Sequence, residues 1–135
     1  MKIITFGVFD MLHIGHIMLF KHAKEMFDQD SILVVAVQDS SSILKYKPGT
    51  RIINTTEERL FMVSSIRYVD KVVVYNDVDE DIEKMDFDVF AKGPDQCHIG
   101  FQKAVRWCND NGKNVVTIPR TDGISSSMLR EYCKI

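Results

Sequence analysis

The feature that most constrains this chain is a regular alternation of short apolar runs with longer amphipathic segments. Residues 31–37 form a continuous apolar run rich in β-branched side chains, which is typical of a strand covered on both faces of a parallel sheet. Residues 2–6 predict a second buried strand, and residues 15–27 between them carry apolar side chains at helical spacing. Strand, helix and strand in this order predict a βαβ unit.

The alternation continues through the rest of the chain. Helices are predicted over residues 56–67, from residue 77, and over residues 100–111 and 125–132, and strands over residues 71–75, 88–91 and 114–118. No repeat or linker divides the sequence, whose one extended irregular stretch is residues 40–56. We therefore predict one α/β domain spanning residues 1–135, a doubly wound, Rossmann-like fold with a five-stranded parallel sheet and helices on both faces.

Length and charge narrow the classes of protein. With 135 residues the chain can bury a single core without disulfides or metals. A net charge of -2 provides no general field for nucleic acid or a membrane surface, so any anion site must be built locally. The first apolar run is too short for a signal peptide or a membrane span, which predicts a cytoplasmic protein that binds neither nucleic acid nor membrane.

The cysteines give little sign of a metal or a disulfide framework. Cys97, Cys108 and Cys133 show no Cys-x-x-Cys spacing, which favours free thiols. Cys97 lies beside His98, but zinc needs three or four converging ligands and the sequence offers no second pair. We therefore expect no metal-ligating residues.

Four loops are candidates for the functional site, because ligands of doubly wound sheets bind beyond the carboxyl ends of the strands. They cover residues 7–15, 38–47, 92–96 and 119–127. His, Lys, Arg, Ser and Gly gather in these loops while the strands stay apolar.

The first loop contains His13 and His16, with Gly15 between them at the start of a predicted helix. A glycine lets the backbone approach a bulky anion, the helix start supplies unpaired N–H groups, and both imidazoles can donate to phosphate oxygens. This pattern favours phosphate binding, although a structural or metal-binding histidine pair fits the same spacing.

Residues 120–127 place a second cation, a glycine and hydroxyl groups at a predicted strand-to-helix junction. Arg120 and Ser125 could hold phosphate there. In the simpler interpretation Ser125 caps the last helix and Gly123 makes a turn. The two interpretations are compatible, because a capped helix start keeps free N–H donors.

Three collinear segments carry a specific resemblance. Residues 7–17 match Gly-Thr-Phe-Asp-Leu-Leu-His-x-Gly-His-Ile with Val8 in place of threonine, residues 67–70 match Arg-Tyr-Val-Asp, and residues 120–127 match Arg-Thr-Glu-Gly-Ile-Ser-Thr-Thr with conservative exchanges. The chain resembles the glycerol-3-phosphate cytidylyltransferases, within the nucleotidyltransferases that carry a His-x-Gly-His signature. The likeness extends over almost the whole chain.

The resemblance implies a reaction. An oxygen of a small phosphorylated acceptor would attack the α-phosphorus of CTP in line and release pyrophosphate, with Mg²⁺ on the triphosphate and without a covalent enzyme intermediate. Positioning and charge neutralisation carry such chemistry. The resemblance also implies glycerol 3-phosphate as acceptor, CDP-glycerol as product, a place in the synthesis of cell-surface polymers, and a homodimer.

The resemblance further assigns roles to single residues. The groups expected to act on the reacting phosphates are His13, His16, Lys45 and Arg120. Nucleotide contacts are expected from Val8, Phe9, His13, Gly15, His16, Lys47, Arg67, Arg120, Thr121, Gly123, Ile124, Ser125, Ser126 and Ser127. Acceptor contacts are expected from Asp10 and Lys45. By residue type alone, Lys45 and Lys47 fit a solvated loop, and Arg67 fits an ordinary surface cation.

The resemblance fails in two loops near the expected acceptor. Family members offer a lysine after the third strand, whereas residues 76–83 are short and acidic. After the fourth strand they typically have Met-Gly-Asp-Asp-Trp, and this chain has Lys-Gly-Pro-Asp-Gln at residues 92–96. We hypothesise that Lys92 supplies the missing acceptor-binding cation, the alternative being a lysine that merely ends a strand.

Other functions fit the same motifs. Phosphate-binding segments do not recognise the base, so an adenylyltransferase acting on a flavin or sugar phosphate is the main alternative. A cytidylyltransferase for another phosphate or phosphonate acceptor is a second. A non-catalytic nucleotide-binding module is a third, but it would have less need of His13, His16 and Arg120 aimed at the α-phosphorus.

Overall fold

A computed structural model describes residues 1–120 of the chain. The predicted last helix, at residues 125–132, lies outside this part. So do the predicted nucleotide contacts of Thr121, Gly123, Ile124, Ser125, Ser126 and Ser127.

The core of the fold is a sheet of parallel strands. They are β1 (Lys2–Gly7), β2 (Ile32–Gln38), β3 (Lys71–Tyr75), β4 (Val89–Lys92) and β5 (Asn114–Thr117). Their order in the five-stranded sheet is β3-β2-β1-β4-β5. β1 pairs with β2 along its whole length and meets β4 on its other side, with Ile3 opposite Val89. The order reverses at β1, which confirms the doubly wound fold expected from the alternation.

Helices connect the strands on both faces. Within residues 1–120 they are α1 (Ile14–Glu25), α2 (Ser40–Tyr46), α3 (Thr56–Ser64), α4 (Val78–Asp81) and α5 (Ile99–Asp110). α4 is one turn, extended by a 3₁₀ turn. α3 begins with a capping box, because the hydroxyl of Thr55 accepts from the N–H of Glu58 while the Glu58 carboxylate accepts from the N–H of Thr55. None of these helices is both long and apolar enough to span a bilayer.

Alternate strand side chains divide the core into two clusters, one on each face of the sheet. On one face Phe6 packs with Phe101 of α5, Val78 of α4 and Ile82 of the 3₁₀ turn. On the other face Ile3 packs with Phe20 of α1 and Val63 of α3. Successive strand residues point to opposite faces. The continuous apolar strands of the sequence are therefore what a sheet covered on both sides requires.

The main difference from the sequence-based expectation is α2, which lies in a stretch expected to be irregular. Asp39 caps this helix by accepting from the N–H of Ser41 at 3.1 Å. Its first turn consists of serines, whose low helix propensity concealed it. Other boundaries shift by a few residues. α3 ends at Ser64 instead of Arg67, where two serine hydroxyls donate to one carbonyl and compete with the helical hydrogen bonds.

Candidate active site

The carboxyl ends of β1 and β4 form the centre of the candidate site. These strands are neighbours in the sheet, and the chain leaves β1 toward α1 on one face and β4 toward α5 on the other. Loops that leave in opposite directions open a crevice, which is where doubly wound sheets bind nucleotides. The loops proposed from the sequence at residues 7–15 and 92–96 both begin at this crevice.

His13 and His16, called here the histidine pair, cap α1 reciprocally. His13 precedes the helix, and its Nδ1 accepts a hydrogen bond from the N–H of Gly15 at 3.0 Å. The Nδ1 of His16 accepts from the N–H of His13 at 3.3 Å. The two rings stack with their centroids 3.9 Å apart. The three-residue spacing thus brings both imidazoles to one end of α1, as the motif predicted.

These hydrogen bonds determine which ring nitrogen carries the proton. Because Nδ1 is an acceptor in both rings, the proton of each neutral imidazole lies on Nε2, on the ring side away from the cap. Burial, and secondly the positive charge of Arg120, lower the pKa of His13. A neutral His13 therefore prevails near pH 7 and offers an Nε2–H donor to a phosphate oxygen.

The loop between β1 and α1 is strained. Phe9 and Met11 have φ angles of 55° and 52°, in the left-handed region that such side chains rarely adopt. The Phe9 ring covers Gly7, where a Cβ atom would come within 2.6 Å of it. The same ring packs edge-on against His16, with centroids 5.5 Å apart. Phe9 is thus a buried support for the histidine pair, and its predicted nucleotide contact stays a prediction.

Arg120 approaches the histidine pair from the loop after β5. Its charge lies close enough to His13 to lower the pKa of that ring. Its Nη1 pairs with Oδ2 of Asp95 at 2.9 Å, and the two side chains are 52% and 69% exposed. An ion pair this exposed contributes little, so another anion can replace Asp95 at small cost. The histidine motif and the first residue of the carboxyl-terminal motif therefore converge on one crevice.

The loop after β4 is held by Gln96. Its Nε2 donates to the carbonyl of Phe6 at the end of β1, and its Oε1 accepts from the N–H of Gly93 at 3.1 Å. Lys92 is half-buried at the end of β4, with Nζ 3.4 Å from the Gly93 carbonyl oxygen and 3.5 Å from that of Gln96. Within residues 1–120 it forms no ion pair with a carboxylate. A lysine at this position is available to an anionic ligand.

Residues 45–47, called here the lysine arm, lie at the end of α2 beyond β2. Lys45 is exposed, with Nζ 5.3 Å from the centre of the Tyr46 ring. The Tyr46 hydroxyl donates to the carboxylate of Asp77 at the start of α4, which attaches the arm to the loop after β3. Two causes lower the pKa of His98 at the start of α5. The larger is burial, and the second is the positive charge of Lys47. The arm thus lies at the carboxyl edge, on the β2–β3 side of the crevice.

Val8 and Asp10 connect loops in this structure. The Val8 carbonyl accepts from Arg59 at 2.9 Å. Asp10 is 3% exposed, and its two carboxylate oxygens accept from the N–H groups of Ile53 and Asn54 at 2.7 and 3.0 Å. The Asp10 carboxylate therefore anchors the segment ahead of α3. Its predicted contact with the acceptor, and that of Val8 with the nucleotide, stay predictions.

Arg67 lies at the opposite edge of the sheet from the histidine pair. It is exposed, in the turn between α3 and β3, and residues that precede a parallel strand lie at its amino edge. Asp70 agrees with this placement, because its N–H donates to the carbonyl of Leu33 near the start of β2. The expected nucleotide contact of Arg67 therefore stays a prediction, and the structure places this exposed residue at the amino edge of the sheet.

Comparison with known proteins agrees with this geometry. Residues 4–132 match the family model described as cytidylyltransferase-like. The chain belongs to this family. The glycerol-3-phosphate cytidylyltransferase of Staphylococcus aureus is 34% identical over 134 residues, which are 96% of this chain and 92% of that protein. The FAD synthase of Thermococcus kodakarensis is 36% identical over 146 residues, covering 98% of this chain and 95% of that protein.

Among solved structures, the lipopolysaccharide core biosynthesis protein of Thermoplasma volcanium has a TM-score of 0.70 and 26% sequence identity. The match covers 90% of this chain and 96% of that chain. Membership of the cytidylyltransferase-like family makes the chain a nucleotidyltransferase, as the three motifs predicted. Family membership fixes the type of transfer, and the base and acceptor must be argued from the residues of the site.

The side chains of this nucleotidyltransferase do not by themselves fit a magnesium ion. Within residues 1–120 no group of three His, Cys, Asp or Glu side chains is arranged to hold a metal. Asp10 accepts from backbone N–H groups, and Asp95 pairs with Arg120. Magnesium uses few protein carboxylates where substrate phosphates supply the other oxygens. The Mg²⁺ expected with the triphosphate stays a prediction.

Two features of the site were missed from the sequence. His98 caps α5 as His13 caps α1, since its Nδ1 accepts from the N–H of Gly100 at 3.2 Å. A signal existed, because His-Ile-Gly occurs twice in the chain. The second feature is Arg59, which is completely buried. An arginine in a charged helical turn gives no sequence signal of burial, because its partners come from distant loops.

Proposed function

We propose that the protein transfers CMP from CTP to a small phosphorylated alcohol, glycerol 3-phosphate, and releases pyrophosphate. The observation that carries this proposal is the convergence of His13, His16 and Arg120 at the β1–β4 crevice. These groups suit a triphosphate attacked at its α-phosphorus. The similarity to a glycerol-3-phosphate cytidylyltransferase over nearly the whole chain supports this base and acceptor.

The proposed reaction depends on positioning and on charge. The Nε2–H groups of His13 and His16 donate to phosphate oxygens, where negative charge grows as pyrophosphate leaves. Arg120 exchanges its partner Asp95 for the outer phosphates. The first N–H groups of α1 add a favourable dipole. Preorganised donors of this kind contribute about 10²–10³-fold each to the rate.

The lysine arm supplies the opposite wall. In our proposal Lys45 and Lys47 contact the nucleotide and acceptor phosphates, and movement of the arm over the bound substrates excludes water. The Tyr46 hydroxyl, bonded to Asp77, limits how far the arm can travel.

Lys92 is the proposed contact for the acceptor phosphate. Lys92→Ala should raise the acceptor KM by about 10–100-fold, because a charged phosphate contact is lost, and it should leave the KM for CTP nearly unchanged. The matched control is Lys103→Ala, which removes an exposed lysine on α5. Steady-state kinetics with varied acceptor would measure both. An unchanged acceptor KM and turnover in Lys92→Ala would remove Lys92 from the site.

The deciding experiment measures pyrophosphate release from each nucleoside triphosphate with a panel of acceptors. CTP with glycerol 3-phosphate should give turnover, and His13→Asn protein purified in parallel should turn over about 10²–10³-fold more slowly. Turnover only with ATP and a flavin phosphate would replace the proposal by adenylyl transfer, which similarity to an FAD synthase favours. CTP binding without turnover on any acceptor would indicate a nucleotide-binding module.

The same proposal includes a homodimer, which sedimentation would detect, and a product used in cell-surface polymers.

A further inference from the structure

Arg59, in the first turn of α3, is the one fully buried arginine within residues 1–120. A guanidinium group carries five N–H donors in a rigid plane. The structure provides an acceptor for each of them. Nε donates to Asn54 O at 3.1 Å, Nη1 to Val8 O at 2.9 Å and Gln38 O at 2.7 Å, and Nη2 to Ser40 Oγ at 2.7 Å and Thr56 Oγ1 at 3.3 Å.

These acceptors belong to three separate segments of the site. Val8 opens the loop that leads from β1 to the histidine pair. Gln38 ends β2, and Ser40 begins α2, which leads to the lysine arm. Asn54 precedes α3 and also donates to the carboxylate of Asp10 in the β1–α1 loop. One planar group therefore sets the spacing between the two sides of the crevice.

The charge of Arg59 is matched to this location. Burial lowers its pKa, while the negative charges of Asp10 and Asp39, and the hydroxyl of Tyr75, act in the opposite direction. Asp10 lies in the β1–α1 loop and Asp39 caps α2, so these two charges come from the segments that Arg59 joins. Burying a cation carries a desolvation cost, which apolar side chains filling the same space would avoid. Lysine could not replace it, because an ammonium offers three donors from one point.

We propose that Arg59 is a positioning residue for the transfer reaction, which holds the lysine arm at its working distance from the histidine pair without touching substrate. The proposal rests on the proposed function in one respect, since the arm acts on substrates bound at the histidine pair. A misplacement of about 1 Å can cost 10²-fold in rate. Loss of this spacing should therefore lower turnover more than it weakens CTP binding.

The first test compares two substitutions in α3 at a temperature well below both melting transitions. Arg59→Lys keeps the charge but not the five donors, and should lower kcat by about 10²-fold while the KM for CTP changes by less than about threefold. Val63→Ala removes methyl groups from a buried position in the same helix that makes no side-chain hydrogen bond, and should lower the melting temperature with kcat retained. An equal loss of kcat in Val63→Ala would assign the effect to stability and overturn the proposal.

The second test is a double-mutant cycle on kcat with Lys47→Ala. If Arg59 acts through the arm, Lys47→Ala should lower kcat strongly in the wild-type background and hardly further in Arg59→Lys, because the arm is already misplaced. Equal losses in both backgrounds would show that Arg59 stabilises the fold independently of the arm, and would overturn the proposal.

Amide hydrogen exchange gives a readout that needs no turnover. In Arg59→Lys, exchange should accelerate by about tenfold or more in residues 8–13 and 39–47 and stay unchanged in α5. Unchanged exchange in either segment would overturn the proposed connection. If the wild-type protein transferred no nucleotide to any acceptor, the proposed function would fail, and the exchange experiment would still decide whether Arg59 joins the two segments.

Discussion

The starts of α1 and α5 can be compared directly, because both read His-Ile-Gly and lie after neighbouring strands. In each, the histidine Nδ1 accepts from the N–H of the glycine two residues later, at 3.0 Å in α1 and 3.2 Å in α5. The isoleucine between them is exposed in both, 53% at Ile14 and 67% at Ile99. The same three residues therefore form the same cap at both helix starts.

The two starts differ in what surrounds the capping ring. His13 stacks on a second imidazole, His16, whereas His98 meets the buried ring of Phe101 edge-on with centroids 4.6 Å apart. Arg120 acts on His13, while the effect of Lys47 on His98 is opposed by the carboxylate of Asp79. The difference teaches that only one of the two capping histidines lies where a second ring and Arg120 converge, and in our proposal this is the histidine that donates to phosphate.

The largest expected effect comes from removing the Nε2–H donor while keeping the cap. Asparagine caps helices well, so His13→Asn and His98→Asn should both fold with nearly unchanged stability. His13→Asn should lower kcat by about 10²–10³-fold, the loss expected for one preorganised donor. His98→Asn should stay within about threefold of the wild type. Steady-state pyrophosphate release and thermal unfolding of the three proteins would measure this contrast.

A strong loss of kcat in His98→Asn would break the comparison, because it would show that the α5 start also contacts substrate. Equal losses in both variants would mean that the shared cap, not the second ring and the cation, determines the function.

A smaller effect is expected from the cation beside the histidine pair. Arg120→Gln should lower kcat/KM for CTP by about 10–100-fold, since a charged hydrogen bond to phosphate contributes about 1.5–3 kcal/mol. It should also raise the pKa of His13, which Arg120 lowers, and leave that of His98 unchanged. Kinetics and an NMR titration of the imidazoles would test both parts. A His13 pKa that does not move would place Arg120 farther from the pair.

Sequence reasoning succeeded where one segment contains the whole signal. The strands are apolar on both faces, so their alternation with helices predicted the order of elements. The place of the histidine pair at a helix start was predictable because both histidines and Gly15 lie in one short segment. Arg120 was found through its own motif, and it lies near the histidine pair because parallel strands place their loops at one edge of the sheet.

Sequence reasoning failed where the signal is divided among distant segments. The burial of Arg59 depends on acceptors from three loops, none of which identifies the others. The serine-rich α2 was concealed because its cap Asp39, not its propensity, starts the helix.

In acid, both helix starts should lower the stability of the protein, but only the start of α1 should affect its activity. Burial is the main cause that lowers the pKa of both His13 and His98 below the usual 6.5. As pH falls below 6.5, the unfolded chain therefore takes up these protons before the folded chain does, and the free energy of unfolding decreases. Protonation of Nδ1 also removes the cap acceptor. Urea unfolding between pH 5 and about 8 would measure this slope.

In kcat/KM, the acidic limb should depend on His13 and not on His98. His98→Asn should reduce the loss of stability in acid and leave the pH profile of kcat/KM unchanged. A profile that shifts in His98→Asn would connect the two helix starts functionally.

The smallest effect concerns the loops that lead into the two helices. Met11 in the first loop has a left-handed φ of 52°, whereas Cys97 in the second is not among the described residues with positive φ. Glycine relieves left-handed strain but adds freedom to the unfolded chain. At a position without such strain, the added freedom lowers the free energy of unfolding by about 0.5–1 kcal/mol. Met11→Gly should therefore change the free energy of unfolding by less than about 0.5 kcal/mol, and Cys97→Gly should lower it by about 0.5–1 kcal/mol. Chemical denaturation would compare them, and a larger loss in Met11→Gly would show that the side chain of Met11 contributes more through packing than its backbone strain costs.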